Sequence, residues 1–205
     1  IQRLSWQSTV APSPAHELHN VVFETDVFDS LTQWQETCEP DLPWAEEHFL
    51  ERIGGLPLNP PPSFINWPWH SKDEATRFIK EGGRFDHTYP ERYWPQGTGR
   101  WTGDALDRSD WHPYGNLMDV VRLLRKDPWT RQAYLPVWFP EDTGSVLGQR
   151  VPCTLGYHFI RNGCTLDCNY FIRSCDLTRH YKNDIYLTGR LLQHVVEKVQ
   201  GKDGY

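Results

Sequence analysis

Asn162-Gly163 stands between two runs of β-forming residues, 155–160 and 165–172. Both residues tolerate positive φ, the backbone that a two-residue hairpin needs, so this stretch reads as an antiparallel hairpin. The fold-back constrains its flanks. Cys153 precedes the first run and Arg173-Ser174-Cys175-Asp176 follows the second, so both come to the base of the hairpin. Arg173, Ser174 and Asp176 are too polar to be only the end of a core strand. A nucleophile and an anion clamp then share one cleft: Arg173 offers a planar fork to a phosphate, and Ser174 adds a hydroxyl. A helical run follows over 184–199, with Ile185, Leu192, Val195, Val196 and Val199 on its apolar side.

The rest of the chain divides at its turn signals. Residues 1–16 read as an extended arm, 17–28 as a strand carrying Leu18, Val21, Val22 and Phe23, and 29–39 as a short helix with Leu31 and Trp34 inward. A better helix spans 43–53. Pro43 suits its start, Gly54-Gly55 its stop, and Trp44, Phe49 and Ile53 its buried side. Five prolines between 56 and 69 exclude a helix or a central strand there, leaving a long loop or lid pinned by Phe64, Trp67 and Trp69. Ser71 and Glu74 form a capping-box pattern for a helix over 71–81. Residues 85–94 are dense in hydrogen-bonding aromatics, and 96–109 read as a glycine-rich loop. Leu117, Val120, Val121 and Leu124 define an amphipathic helix over 110–125, with Arg122, Arg125 and Lys126 favourable to its C-terminal dipole. A strand and exit loop follow over 131–142. Helices against a sheet make an α+β fold, and 205 residues suit one domain.

A net charge of −6 argues against a broad nucleic-acid footprint, so an anionic ligand needs a local arginine cluster. No apolar run is long enough for a membrane span, and no signal peptide is visible. Five cysteines without regular spacing suit reduced thiols in a cytoplasm. Cys164 and Cys168 fall on one expected strand with no second pair nearby, which points to packing rather than zinc. Cys38 and Cys175 read as packing too, and no metal is expected.

Pro152-Cys153, the hairpin, Arg173-Ser174-x-Asp176 and a polar residue eight positions after that Asp resemble the thymidylate synthases. Cys153-Thr154 and Asn183-Asp184 look more like the phage deoxycytidylate hydroxymethylases, since the synthases usually carry Asn where Asp184 stands. The likeness is dense over 131–184 and weak before it. It implies a mixed sheet packed by long helices, a homodimer formed through the sheet, a pyrimidine nucleoside monophosphate as substrate and 5,10-methylenetetrahydrofolate as co-substrate. It implies Arg131 reaching across the dimer to the partner's phosphate, although the usual second arginine is Gln132 here. It places the folate pterin at Asp176 and a carboxylate on the 43–53 helix, at Glu46 or one residue on at Glu47, against the plainer reading of a solvated Glu-Glu face. Tyr89 stands beside the active site or belongs to a structural aromatic cluster. The family's C-terminal His-x-Tyr element, which holds the sugar, has no counterpart, and truncation of the sequence is the expected reason.

On these residues the chemistry is covalent. The Cys153 thiolate, favoured by Arg173 or Arg150, adds to pyrimidine C6 and makes C5 a nucleophile for the one-carbon unit. Glu46 would order the water that then adds. A carboxylate at Asp184 accepts from cytosine N4 and stabilises a proton on N3, whereas uracil wants the amide of Asn. The alternative has Asp184 capping the helix and Asn183 reading the base. The expected activity is a dCMP hydroxymethyltransferase, in the host cytoplasm if viral, with modified DNA as its setting. The rivals are a thymidylate synthase or hydroxymethylase acting on dUMP, and a non-catalytic nucleotide- or folate-binding homologue.

Overall fold

The computed structural model describes residues 18–69, 71–80, 82–95, 100–101, 106–107, 115–145 and 148–201. Helices α1 (Leu31–Cys38) and α2 (Trp44–Ile53) come first, followed by a 3₁₀ turn at Pro62–Asn66. Two five-residue helices, α3 (Lys72–Thr76) and α4 (Tyr89–Tyr93), and a two-residue ladder of β1 (Arg100–Trp101) with β2 (Leu106–Asp107) lie in the middle. Helix α5 (Leu117–Lys126), strands β3 (Tyr134–Pro136), β4 (Thr154–Asn162) and β5 (Thr165–Ile172), and the 19-residue helix α6 (Tyr181–Val199) complete the chain. Among the described residues no helix is long and apolar enough to cross a membrane.

The α+β reading holds, but the sheet differs from the expected mixed one. Strands β3-β4-β5 are antiparallel throughout. A parallel pair needs a crossover of a dozen or more residues, usually helical; here β4 and β5 are joined by a tight turn, and among the described residues the β3–β4 loop carries a 3₁₀ turn and no α-helix. Long packing helices reduce to one, α6. The hairpin is real, with its turn displaced by one residue. Asn162 pairs with Thr165, so the loop is Gly163-Cys164, with Gly163 at φ 60°. Glycine at the first loop position suits a primed turn that matches strand twist. Cys164 is therefore exposed on the turn and does not pack.

Residues 18–28 form no strand. Val22 is 94% exposed and Leu18, Val21 and Phe23 are largely open to solvent. Apolar composition alone does not make a strand without a sheet edge to pair with. Helix α3 starts at the expected capping box but ends by Thr76. Helix α5 starts at Leu117, behind an Asn116–Asp119 capping box; the expected residues 110–114 lie outside the described residues. Helix α4, unforeseen, starts at a second such box, Thr88 with Glu91.

Two cores meet along α6. Leu117, Val121 and Leu124 of α5, Leu135 and Val137, Tyr157 and Phe159 of β4, and Leu191 and Val195 of α6 make the larger. Trp34, Trp44, Phe49, Tyr186 and Leu187 make the smaller, between α1, α2 and α6. The Trp34 indole lies against the α6 backbone and donates to the Tyr186 carbonyl at 3.1 Å. Gly189 permits that approach, because a Cβ there would sit 2.4 Å from the indole ring.

Ala normally outranks Gly in a helix by about 1 kcal/mol. At Gly189 the steric cost exceeds that gain, and G189A is expected to lose about 1–3 kcal/mol of stability. Urea unfolding measures it; an unchanged or raised midpoint would show that the indole does not lie on the helix.

Candidate functional site

A cavity of about 370 Å³ opens between α2, the proline-rich loop, the start of α4, the loop before β4, and the β5–α6 connection. Of the residues singled out in the sequence, Cys153, Asp184, Ser174, Asn183, Tyr89 and Asp176 line it; Glu46, Arg131 and Arg173 do not.

The hairpin sets the first group. Backbone pairing continues past the ends of the strands, where the Arg173 N–H donates to the Cys153 carbonyl at 3.0 Å. Cys153 is thereby held opposite Arg173, with its thiol exposed, and Ser174 and Cys175 follow into the cavity. The Arg173 guanidinium turns back on the Cys153 loop, its Nε donating to the Pro152 carbonyl at 2.9 Å. It braces the loop that presents the thiol.

Four residues beyond the end of β5, Asp176 anchors a tight turn. Its carboxylate accepts from the Thr178 hydroxyl at 2.7 Å and from the Thr178 and Arg179 amides, and the Thr178 bond leads in holding it below the usual carboxylate range. The His180 and Tyr181 amides bond the Asp176 carbonyl, and α6 starts from there. One turn into α6, Asp184 faces the cavity and accepts the Cys175 S–H at 3.4 Å. Burial raises the Asp184 pKa, opposed by the charge of Arg52. Asn183, beside it, is buried with its amide engaged at both ends: Oδ1 accepts the Asp41 N–H and Nδ2 donates to the Asp41 carboxylate. The carboxylate of Asp184, rather than this amide, is the polar group left for a ligand.

Helix α2 supplies what the sequence reading missed. Trp44, His48 and Arg52 repeat at intervals of four, fall on one stripe, and all line the cavity. Glu46 lies about 200° around the helix from Trp44, at 3.6 residues per turn. It faces α6, where it accepts from the Tyr186 hydroxyl at 2.5 Å and from Arg190 at 2.8 Å. The structure does not bring Glu46 to the cavity. Glu47 accepts instead from Asn66 at 2.9 Å. The i, i+4, i+8 spacing was the available signal, but an apolar, Phe49-centred face was the simpler reading of the same helix.

Arg52 is 5% exposed, stacks 3.9 Å over the Tyr89 ring, and has no partner for its Nε. The Tyr89 hydroxyl joins a relay, 3.0 Å from Thr154 Oγ1, itself 3.0 Å from the Tyr170 hydroxyl. Burial pushes Tyr89 up to about 12. Arg150 adds a cation at the mouth, with its guanidinium over the Phe78 ring. His87 faces the Arg150 carbonyl through Nδ1 at 3.0 Å, and burial, then the charge of Arg92, holds it down to about 3. Trp67, Trp69, Phe78 and Phe85 form an aromatic wall. Arg131 is exposed elsewhere, its carbonyl accepting from His158 at 3.0 Å. Among the described residues no group of three or more His, Cys, Asp or Glu is placed to hold a metal.

No curated protein matches the chain. The thymidylate synthase family model matches residues 66–203, about two thirds of the sequence, and the chain belongs to that family. The matched stretch includes Cys153, Asp176 and Asp184; helix α2 lies before it.

The thiols differ in reactivity. Burial raises Cys38 to about 11 and Cys168 to about 12, and burial followed by the Asp184 charge raises Cys175 to about 12, while Cys153 and Cys164 are exposed. Iodoacetamide at pH 8 should label Cys153 and Cys164 at least about tenfold faster than the other three, because the thiolate is the reacting form. Peptide mass mapping reads the order; Cys175 labelling as fast as Cys153 would contradict this site geometry.

Proposed function

We propose that this member of the thymidylate synthase family converts dCMP, 5,10-methylenetetrahydrofolate and water to 5-hydroxymethyl-dCMP and tetrahydrofolate. Family membership carries the coarser statement, a folate-dependent enzyme of one-carbon transfer to pyrimidine C5. The finer one is carried by one observation: Cys153 and the half-buried carboxylate of Asp184 line the same cavity.

The Cys153 thiolate adds to C6, and the C5=C6 electron pair becomes available at C5. C5 takes the methylene carbon from the folate and loses its proton, tetrahydrofolate departs, and the nucleotide carries an exocyclic methylene. Water adds to that carbon and gives up a proton, electrons return to the ring, and the thiolate leaves C6. Asp184 accepts from N4 and shares a proton with N3; burial, which raises its own proton affinity, suits it to that sharing. Protonation at N3 also makes C6 a better electrophile. Ser174, with the cations Arg173 and Arg150 nearby, would meet the 5′-phosphate. Arg131, outside the cavity of its own chain, is proposed to reach the phosphate of a second copy in a homodimer formed through the sheet. The aromatic wall suits a flat bicyclic pterin, with Asp176 at its edge.

The test is mass spectrometry of products from dCMP and dUMP, each with methylenetetrahydrofolate. A gain of one CH2O on dCMP is expected; a gain of one CH2 on dUMP would make the chain a methyl-transferring synthase instead. D184N should move the kcat/KM preference from dCMP toward dUMP by roughly 10- to 100-fold, the worth of one mismatched buried polar contact at 1–3 kcal/mol. An unchanged preference would remove Asp184 from base reading.

A further inference from the structure

We infer that His48, oriented by Glu51 and Ser63, is the group that takes the proton from the water added to the exocyclic methylene. The inference rests on the hydroxymethyl reading above and names the residue that serves its water-addition step.

The water must lose a proton as its oxygen bonds to carbon, so an acceptor has to line the cavity. Glu46 is committed to Arg190 and Tyr186, and Asp184 is committed to the base. His48 lines the cavity and is 6% exposed, with its ring stacked on Trp44 at 5.1 Å between centroids.

Its tautomer follows from the hydrogen bonds. The Ser63 hydroxyl donates its one proton to Glu51 Oε2 at 2.5 Å, and the Ser63 amide donates to Oε1 at 2.5 Å. His48 Nδ1 faces both Glu51 Oε2 and Ser63 Oγ at 3.4 Å. Neither oxygen has a proton to offer, so Nδ1 carries the hydrogen and Nε2 carries the lone pair. Glu51 and Ser63 do not line the cavity, which leaves the Nε2 edge of the ring for it. Burial, then the charge of Arg52, holds His48 down to about 4, with Glu51 opposing, so the imidazole is neutral at neutral pH and free to accept.

A proton arriving at Nε2 makes an imidazolium whose charge the Glu51 carboxylate offsets through Nδ1, the same division of labour that a carboxylate–imidazole pair performs in other general bases. Two other imidazoles line the cavity: His87 faces the Arg150 carbonyl and lies near Arg92 and Arg150, and His180 packs its ring on Trp69 at 4.2 Å between centroids; among the described residues neither ring is hydrogen-bonded to a carboxylate as His48 is to Glu51. A His87 cation would keep the Arg150 carbonyl but face the charges of Arg92, Arg150 and Arg173, with no carboxylate hydrogen-bonded to the ring to offset them. His48 precedes the stretch shared with the family, so the family match does not supply it.

H48N keeps an N–H toward Glu51 and removes the acceptor at Nε2. Three readouts are taken with dCMP labelled by tritium at C5: tritium release, hydroxymethyl product, and product formed with added 2-mercaptoethanol, whose sulfur attacks the same methylene carbon. In a single turnover H48N should release tritium near the wild-type rate, form hydroxymethyl-dCMP roughly 10²- to 10⁴-fold more slowly, and give the thioether when the thiol is present. E51Q should lower kcat for product with KM and tritium release unchanged, a split that loss of packing would not produce. Wild-type product formation by H48N overturns the inference, as does an equal fall in tritium release and product. A wild-type enzyme that makes no hydroxymethyl product at all removes the parent reading with it, whereas a competent wild type with a competent H48N removes this inference alone.

Discussion

One backbone hydrogen bond organises the site: the Arg173 amide on the Cys153 carbonyl, 3.0 Å long. It continues the β4–β5 pairing past the strands and fixes the exposed thiol opposite the segment 173–176. Everything downstream is then a matter of counting. Asp176 turns the chain, its carbonyl receives the first amides of α6, and one helical turn later Asp184 faces the space that Cys153 borders. The exposed thiol of Cys153 and the carboxylate of Asp184 are set on one cavity by one hairpin and one helix start. Such placement suits covalent chemistry, where small errors in approach are costly in rate.

The second constraint is the seat of α2 on α6. Glu46 bonds Tyr186 and Arg190 on α6, and Phe49 packs in the core the two helices share. Those contacts fix the rotation of α2, and rotation decides which residues enter the cavity. With Glu46 and Phe49 toward α6, the stripe of Trp44, His48 and Arg52 has to face the ligand. The carboxylate that the sequence offered to chemistry is used for docking, and the side chains it thereby orients are the ones available for catalysis.

The parts legible in the sequence were those set locally. Asn162-Gly163 between two β runs announced the hairpin, though its turn lies one residue on, because register is fixed by both strands and by the φ of Gly163 together. The Ser71–Glu74 box announced the start of α3. That Cys153, Ser174, Asp176 and Asp184 come to one cavity was legible because hairpin and helix carry them at fixed offsets. Helix phase was not local. Nothing within 43–53 says that Arg190, about 140 residues away, will claim Glu46. The apolar stretch near residue 20 failed for the same kind of reason, since a strand exists only where an edge receives it.

A buried arginine is expensive unless something compensates its charge. Arg52 has the Tyr89 ring beneath it and acts electrostatically on Asp184, yet its Nε is left without a partner. The cavity therefore holds a cation and a carboxyl whose burial favours the neutral form, a pairing only partly settled within the protein itself. On the proposed reading a pyrimidine would offer each a partner: a carbonyl oxygen to accept from Arg52 and a ring nitrogen to share the proton of Asp184. Burial, helped by the same cation, holds down the proton affinity of His48 and keeps the imidazole an acceptor. On the proposed reading, Arg52 would couple base recognition to the readiness of His48, and it lies before the stretch that the family model matches.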